Sequence, residues 1–141
     1  MDGLTTGKLA KRAGVKLDTV RFYEQKRLLN SAWRSESGYR YFPESAVRRI
    51  AFIKGAQQLG FSLEEIRELL ALQVQPGATC ADVRRRTQEK LEDIEARIRR
   101  LRAIRAALKH LTDACQSGAA VSGCTILEGL EQKGWKEHEK P

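Results

Sequence analysis

From Cys80 to Cys115 the chain runs without a proline or a glycine, through residues that mostly favour helix. Apolar side chains recur there at Val83, Leu91, Ile94, Ile98, Leu101, Ile104, Leu108 and Leu111. From Leu91 onward every step is three or four residues, which keeps one narrow seam along one helix face. Residues off the seam, such as Glu92, Glu95, Arg97, Arg99, Arg100 and Arg102, are charged. A lone helix cannot bury such a seam. It needs a partner helix, most simply the same helix of a second chain.

The cysteines indicate how two copies would lie. If the helix is continuous, Cys80 and Cys115 stand about 50 Å apart along it, too far to share a ligand within one chain. A parallel pair leaves them equally separated. An antiparallel pair brings Cys80 of one chain beside Cys115 of the other. Cys124 follows across the turn-forming stretch Gln116 to Gly123, so it can fold back to the same place. Spacing thus predicts two sites of three thiols, one at each end of an antiparallel homodimer.

Charge separates the chain into two parts. The net charge is +8 over 141 residues, yet residues 1–60 hold 12 Lys or Arg against 5 Asp or Glu, whereas the remainder is nearly balanced. The excess is an N-terminal property, as expected of a part that meets a polyanion such as DNA. No apolar run approaches the roughly 20 residues that span a bilayer, and no signal peptide is recognisable, so the expectation is a cytoplasmic chain with no membrane partner. Three cysteines in a reducing compartment make no disulfide framework, leaving metal binding, redox sensing or burial.

Residues 5 to 29 read as two short helices. Thr5 or Thr6 can cap the first, which stops at Gly14; the second begins near Asp18 or Thr19, and its apolar positions include Val20 and Phe22. The turn Gly14-Val15-Lys16 between them is that of a helix-turn-helix. Thr19, Arg21 and Tyr23 would then face a major groove. The run Arg34 to Phe42 interleaves basic and aromatic residues around a Ser/Gly turn and reads as a β-hairpin wing, with Arg34, Tyr39, Arg40 and Tyr41 offered to DNA. Pro43 opens a third helix, continued by Val47, Ile50, Ala51, Ile53 and Lys54 to Gln58 with Arg48 and Arg49 on the outer side, that ends at Gly60. Ser62 with Glu65 forms a capping box for a fourth. The loop containing Pro76 and Gly77 precedes the long helix. Ile126, Leu127 and Leu130 mark a short amphipathic helix after Cys124; beyond it Trp135 has no evident role, and His138 reads as a solvated side chain.

The fold class is therefore mostly α: a winged helix-turn-helix domain with linker helices (1–75), a long antiparallel coiled-coil dimerisation helix (76–114), a short C-terminal metal-binding loop and helix (115–131), and a flexible tail (132–141). An enzyme is not expected, since there is no Gly-rich phosphate loop and His110 and His138 are the only histidines.

The stretches Thr19-Val-Arg-Phe-Tyr-Glu24, Arg34-Ser-Glu-Ser-Gly-Tyr-Arg40 and Leu59-Gly-Phe-Ser-Leu-Glu-Glu-Ile66, in this order and ahead of the long helix, resemble the MerR family of bacterial transcription regulators. The resemblance covers roughly residues 4 to 130. Phe42 departs from it, because relatives usually carry a tyrosine there. The resemblance implies a dimer that binds a promoter with an overlong spacer and distorts it, on metal binding, so that RNA polymerase engages both elements. Members that sense monovalent ions have a serine where this chain has Cys80, so a divalent ion is implied. Zinc sensors add a second cysteine after the position of Cys115, here Gln116, and a histidine in the loop, absent here between Cys115 and Cys124.

What remains is Cys80, Cys115 and Cys124, a soft three-thiolate set. Zn(II) prefers four ligands, whereas Hg(II) and Pb(II) accept trigonal sulfur. Hg(II) is favoured, with Pb(II), Cd(II) or Zn(II) as alternatives, since Cys124-Thr-Ile-Leu-Glu-Gly-Leu130 looks more like the zinc, lead and cadmium members. Two rivals share the fold: a thiol redox sensor, and a structural zinc site that holds the dimer without sensing.

Overall fold

The computed structural model describes residues 3–115, 118 and 120–132. It contains two compact units that divide between Arg86 and Thr87. The division falls later than the Pro76-Gly77 linker suggests, because the first turns of the long helix belong to the first unit.

In the first unit Thr5 serves two elements. Leu4–Thr5 is a two-residue strand, β1, and the Thr5 hydroxyl accepts the Lys8 N–H at 3.2 Å to cap helix α1 (Thr6–Ala13), a contact worth about 1 kcal/mol. Gly14 ends α1 in the left-handed conformation (φ 69°), and the Val15 N–H reaches back to the Ala10 carbonyl at 3.0 Å. Helix α2 (Leu17–Gln25) follows at once, completing the helix-turn-helix. It closes on the same motif, with the Leu28 N–H on the Tyr23 carbonyl at 2.9 Å. Here Arg27, not glycine, occupies the left-handed position (φ 60°).

The wing is a hairpin of β2 (Trp33–Arg34) and β3 (Arg40–Phe42), in the register Trp33 opposite Tyr41 and Arg34 opposite Arg40. Its turn is held by the Ser35 hydroxyl, which accepts the Tyr39 N–H at 3.1 Å, and by Gly38 at φ 87°. Strand β1 pairs with the other edge of β3, Leu4 opposite Phe42, giving the order β1-β3-β2. A two-residue strand leaves no period-two signal in a sequence, and β1 is not anticipated there.

Alternation along β3 turns Phe42 into the core, where it is fully buried with Leu9, Val20, Leu28, Leu29, Ile50, Ile53 and Ile66. Ile50 and Ile53 come from α3 (Ser45–Gln58). This helix starts just after Pro43, whose carbonyl accepts the Ala46 N–H at 3.0 Å. Ala46 and Ala56 take its inner positions, while Ala51 is exposed. Ile66 comes from α4 (Leu63–Val74), which begins with the anticipated capping box of Ser62 and Glu65. The segment after α2 is clamped by two arginines. Arg49 donates from Nε to the Leu28 carbonyl at 2.8 Å, and Arg67 donates to the Lys26 carbonyl.

Helix α5 (Cys80–Asp113) is one uninterrupted element of 34 residues. Asp82 accepts the Thr79 N–H at 2.8 Å, and Arg86 pairs with Glu68 of α4 at 3.2 Å. In the second unit α5 exposes the seam residues Leu91, Ile98, Leu101, Ile104 and Leu108, with Leu101 at 63%. Leu111 is buried: α6 (Thr125–Gln132) lays Gly129 against it, where a Cβ would collide with the leucine side chain. A single 3-10 turn, Val121–Gly123, precedes α6. Trp135 and His138 lie outside the described residues. Among the described residues no helix is long and apolar enough to cross a membrane.

Candidate nucleic-acid interface and metal centre

Helix α2 and the wing enclose a concave surface of about 750 Å³. Arg21, Arg34, Tyr39 and Arg40 line it, together with Glu24 and Gln25. Four of the seven residues expected to meet DNA are thus gathered in one groove. Arg21 is exposed and only loosely paired with Asp18, at 4.0 Å. Tyr39 is 67% exposed at the wing tip, a ring free to stack or to donate its hydroxyl. Arg40 is engaged by Glu24, Nη1 to Oε1 at 2.8 Å.

The other three are placed differently. Thr19 is half-buried and lines a second depression of about 680 Å³ with Lys16, Lys54 and Gln57. Tyr41 stacks on Trp33, with ring centroids 5.8 Å apart and planes 8° from parallel. Its ring face is therefore partly taken by the protein.

Tyr23 corrects the expectation that it reaches bases. It is 3% exposed, its ring belongs to the core, and its hydroxyl donates to Gln57 Oε1 at 2.8 Å. Burial raises its pKa above the ordinary tyrosine value of 10.0. Phe22, one of the apolar positions of this helix, is exposed, with Lys26 Nζ 5.7 Å from its ring centroid. Lys16 and Lys54, which sequence reasoning does not assign to DNA, flank the second depression. Lys16 had a signal, its place in the helix-turn-helix turn; Lys54 had none short of the fold.

All three thiols are free. Cys80 is exposed at the first residue of α5, Cys115 is exposed just past its end, and Cys124 is half-buried ahead of α6. The Thr125 hydroxyl donates to the Ala114 carbonyl at 3.0 Å. This bond joins the residue after Cys124 to the residue before Cys115, so the loop between them is closed at its base. Among the described residues of the single chain, no three His, Cys, Asp or Glu side chains gather into a metal site.

Two family descriptions match: MerR HTH family regulatory protein over residues 4–73, and MerR, DNA binding over residues 47–111. The HTH-type transcriptional regulator ZntR of Escherichia coli (strain K12) is 46% identical over 129 residues, covering 89% of this chain and 91% of the relative. The chain belongs to the MerR family. The mercuric resistance operon regulatory protein of Bacillus cereus is 38% identical, over 90% of this chain and 96% of the relative. Among solved structures, the transcription regulator PbrR691 from Ralstonia metallidurans CH34 in complex with lead(II) matches with a TM-score of 0.82 at 31% identity. That match covers 90% of this chain and 98% of the other. The mostly helical architecture, winged helix-turn-helix followed by a long helix, is that of MerR regulators.

Proposed function

We propose that this MerR-family chain is a cytoplasmic, homodimeric, metal-responsive transcription regulator. It binds double-stranded promoter DNA through the groove between α2 and the wing. The observation that carries the DNA-binding part is the gathering of Arg21, Arg34, Tyr39 and Arg40 in that groove, within the part of the chain that holds most of the positive charge. The exposed seam of α5 supports antiparallel pairing of two copies, with residues 76–114 as the dimerisation segment.

Cys80 of one protomer, with Cys115 and Cys124 of its partner, would hold a thiophilic divalent ion. The structure fits this donor set in two respects. The thiols are unpaired, and the Thr125–Ala114 bond holds the backbone beside Cys115 and Cys124 together. Three thiolates favour an ion content with trigonal sulfur, so Hg(II) is our first assignment. Pb(II), Cd(II) or Zn(II) is the second reading, favoured by the lead(II) complex of the structural relative named above. Thiols release protons on binding, so ion affinity climbs with pH.

Cys80 lies in the same compact unit as the DNA-facing groove. The Arg86–Glu68 pair ties the start of α5 to α4 within that unit, so a change in how Cys80 is held is felt where DNA is read. The promoter is then distorted so that RNA polymerase engages both of its elements. Cys80→Ala should keep DNA affinity within about twofold while abolishing induction; loss of both would make Cys80 a structural residue. The decisive experiment is transcription in vitro with reduced protein and buffered Hg(II), Pb(II), Cd(II), Zn(II) and Cu(I). Activation led by Hg(II) supports the first assignment, and activation led by another divalent ion supports the second. Silence with every metal, with a response to oxidant instead, would move the site to thiol redox chemistry.

A further inference from the structure

Glu24 is out of place in a surface that meets phosphates. It is the one carboxylate among the described residues lining the groove, its side chain is only 14% exposed, and a negative charge there repels DNA. Its geometry supplies a reason. Glu24 Oε1 accepts from Arg40 Nη1 at 2.8 Å, joining α2 to β3 across the groove. In the hairpin register Arg40 stands directly opposite Arg34, and like charges in that position push two strands apart. The carboxylate offsets that repulsion. It engages one face of a guanidinium that has five donors, while Arg40 remains 40% exposed and able to reach out.

We propose that Glu24 is a positioning residue for DNA recognition: it fixes the wing on α2 and aims Arg40, so that α2 and the wing meet DNA as one surface. The proposal rests on the DNA-binding reading of this groove. It makes a prediction opposite in sign to simple electrostatics, under which removing a negative charge from a DNA-facing groove strengthens binding.

The test uses the full-length protein with Glu24→Met, Glu24→Gln, Arg40→Met and the double variant. Promoter affinity would be measured by anisotropy as a function of salt. Glu24→Met is expected to bind about tenfold more weakly although the protein gains positive charge, with a salt slope shallower by about one. Glu24→Gln, which keeps an acceptor for Arg40, should recover most of the loss. In the Arg40→Met background the Glu24→Met change should cost nothing further, because its effect runs through Arg40. Hydrogen exchange without DNA gives an independent reading: the Ser35 and Tyr39 amides, whose bonds close the wing turn, should exchange faster in Glu24→Met. Binding as tight as wild type, a loss that adds in full to that of Arg40→Met, or unchanged wing exchange would each overturn the proposal. If wild-type protein bound no promoter, the DNA-binding reading would fall, while the exchange measurement would still decide whether Glu24 holds the wing.

Discussion

The two units bury their apolar residues in different ways. The first surrounds Phe42, Leu9, Val20, Ile50 and Ile66 with three layers of its own chain: two short helices, a small sheet and the α3–α4 pair. The second leaves Leu91, Ile98, Leu101 and Leu108 exposed along α5 and covers little besides Leu111. A seam of that length facing water is unfavourable at about 25 cal/mol per Å² of apolar surface. The lesson is that one part of the molecule completes its core within a single chain and the other does not. Recognition chemistry sits on the complete part.

The comparison is easiest to break in the core of the first unit. Phe42→Ala should lower its stability by about 3–5 kcal/mol, seen as early loss of the DNA-reading fold in thermal melts, while the helical signal of α5 persists. A single cooperative melt of both units in this variant would contradict their independence. Next in size, Leu101→Glu places a charge in the seam without touching the first unit. Sedimentation should show monomer, and promoter affinity should fall about 100-fold because two linked half-site contacts become one. A dimer that survives would mean that the seam is not the interface.

Smaller effects sharpen the contrast within the first unit itself. Arg21→Ala should weaken promoter binding about tenfold and reduce the salt slope by about one, with no change in melting; an unchanged slope would take Arg21 off the DNA backbone. Tyr23→Phe should cost about 1 kcal/mol, the value of its bond to Gln57. Its pH signature has a definite sign. The folded chain holds the Tyr23 proton more tightly than the unfolded chain does, so stability should fall as pH rises above about 10 in the wild type. Tyr23→Phe should flatten that alkaline limb; an equal fall in both proteins would show that Tyr23 does not drive it.

Much of this was legible because the relevant signals are local. The Thr5 cap, Gly14, and the Ser62–Glu65 capping box are read within four residues, and the α5 seam repeats over many turns. What escaped depends on partners distant in the chain. In α2 the spacing from Val20 sets Tyr23, three residues on, on the buried face and Phe22, two residues on, off it. What the pattern could not supply is Gln57, 34 positions away, whose side chain accepts from the buried Tyr23 hydroxyl. Trp33 carries no motif, yet it stacks on Tyr41 and sits where a side chain at Gly3 would have to go. The Glu24–Arg40 pair is invisible for the same reason: each belongs to its own motif, and the fold alone makes them neighbours. The three thiols were legible as residues. Their proposed assembly would need a second copy; within the single chain the Thr125–Ala114 bond joins the backbone flanking Cys115 and Cys124.

Arg27 has a consequence of another kind. It ends α2 in a conformation that glycine adopts freely and that an arginine adopts at a cost of roughly 1 kcal/mol. The chain therefore keeps a local conflict that one substitution would relieve. Such a position acts as a mutational reserve: a lineage that relaxed it would tolerate one more destabilising change elsewhere in the DNA-reading unit, and with it a wider set of operator sequences to explore.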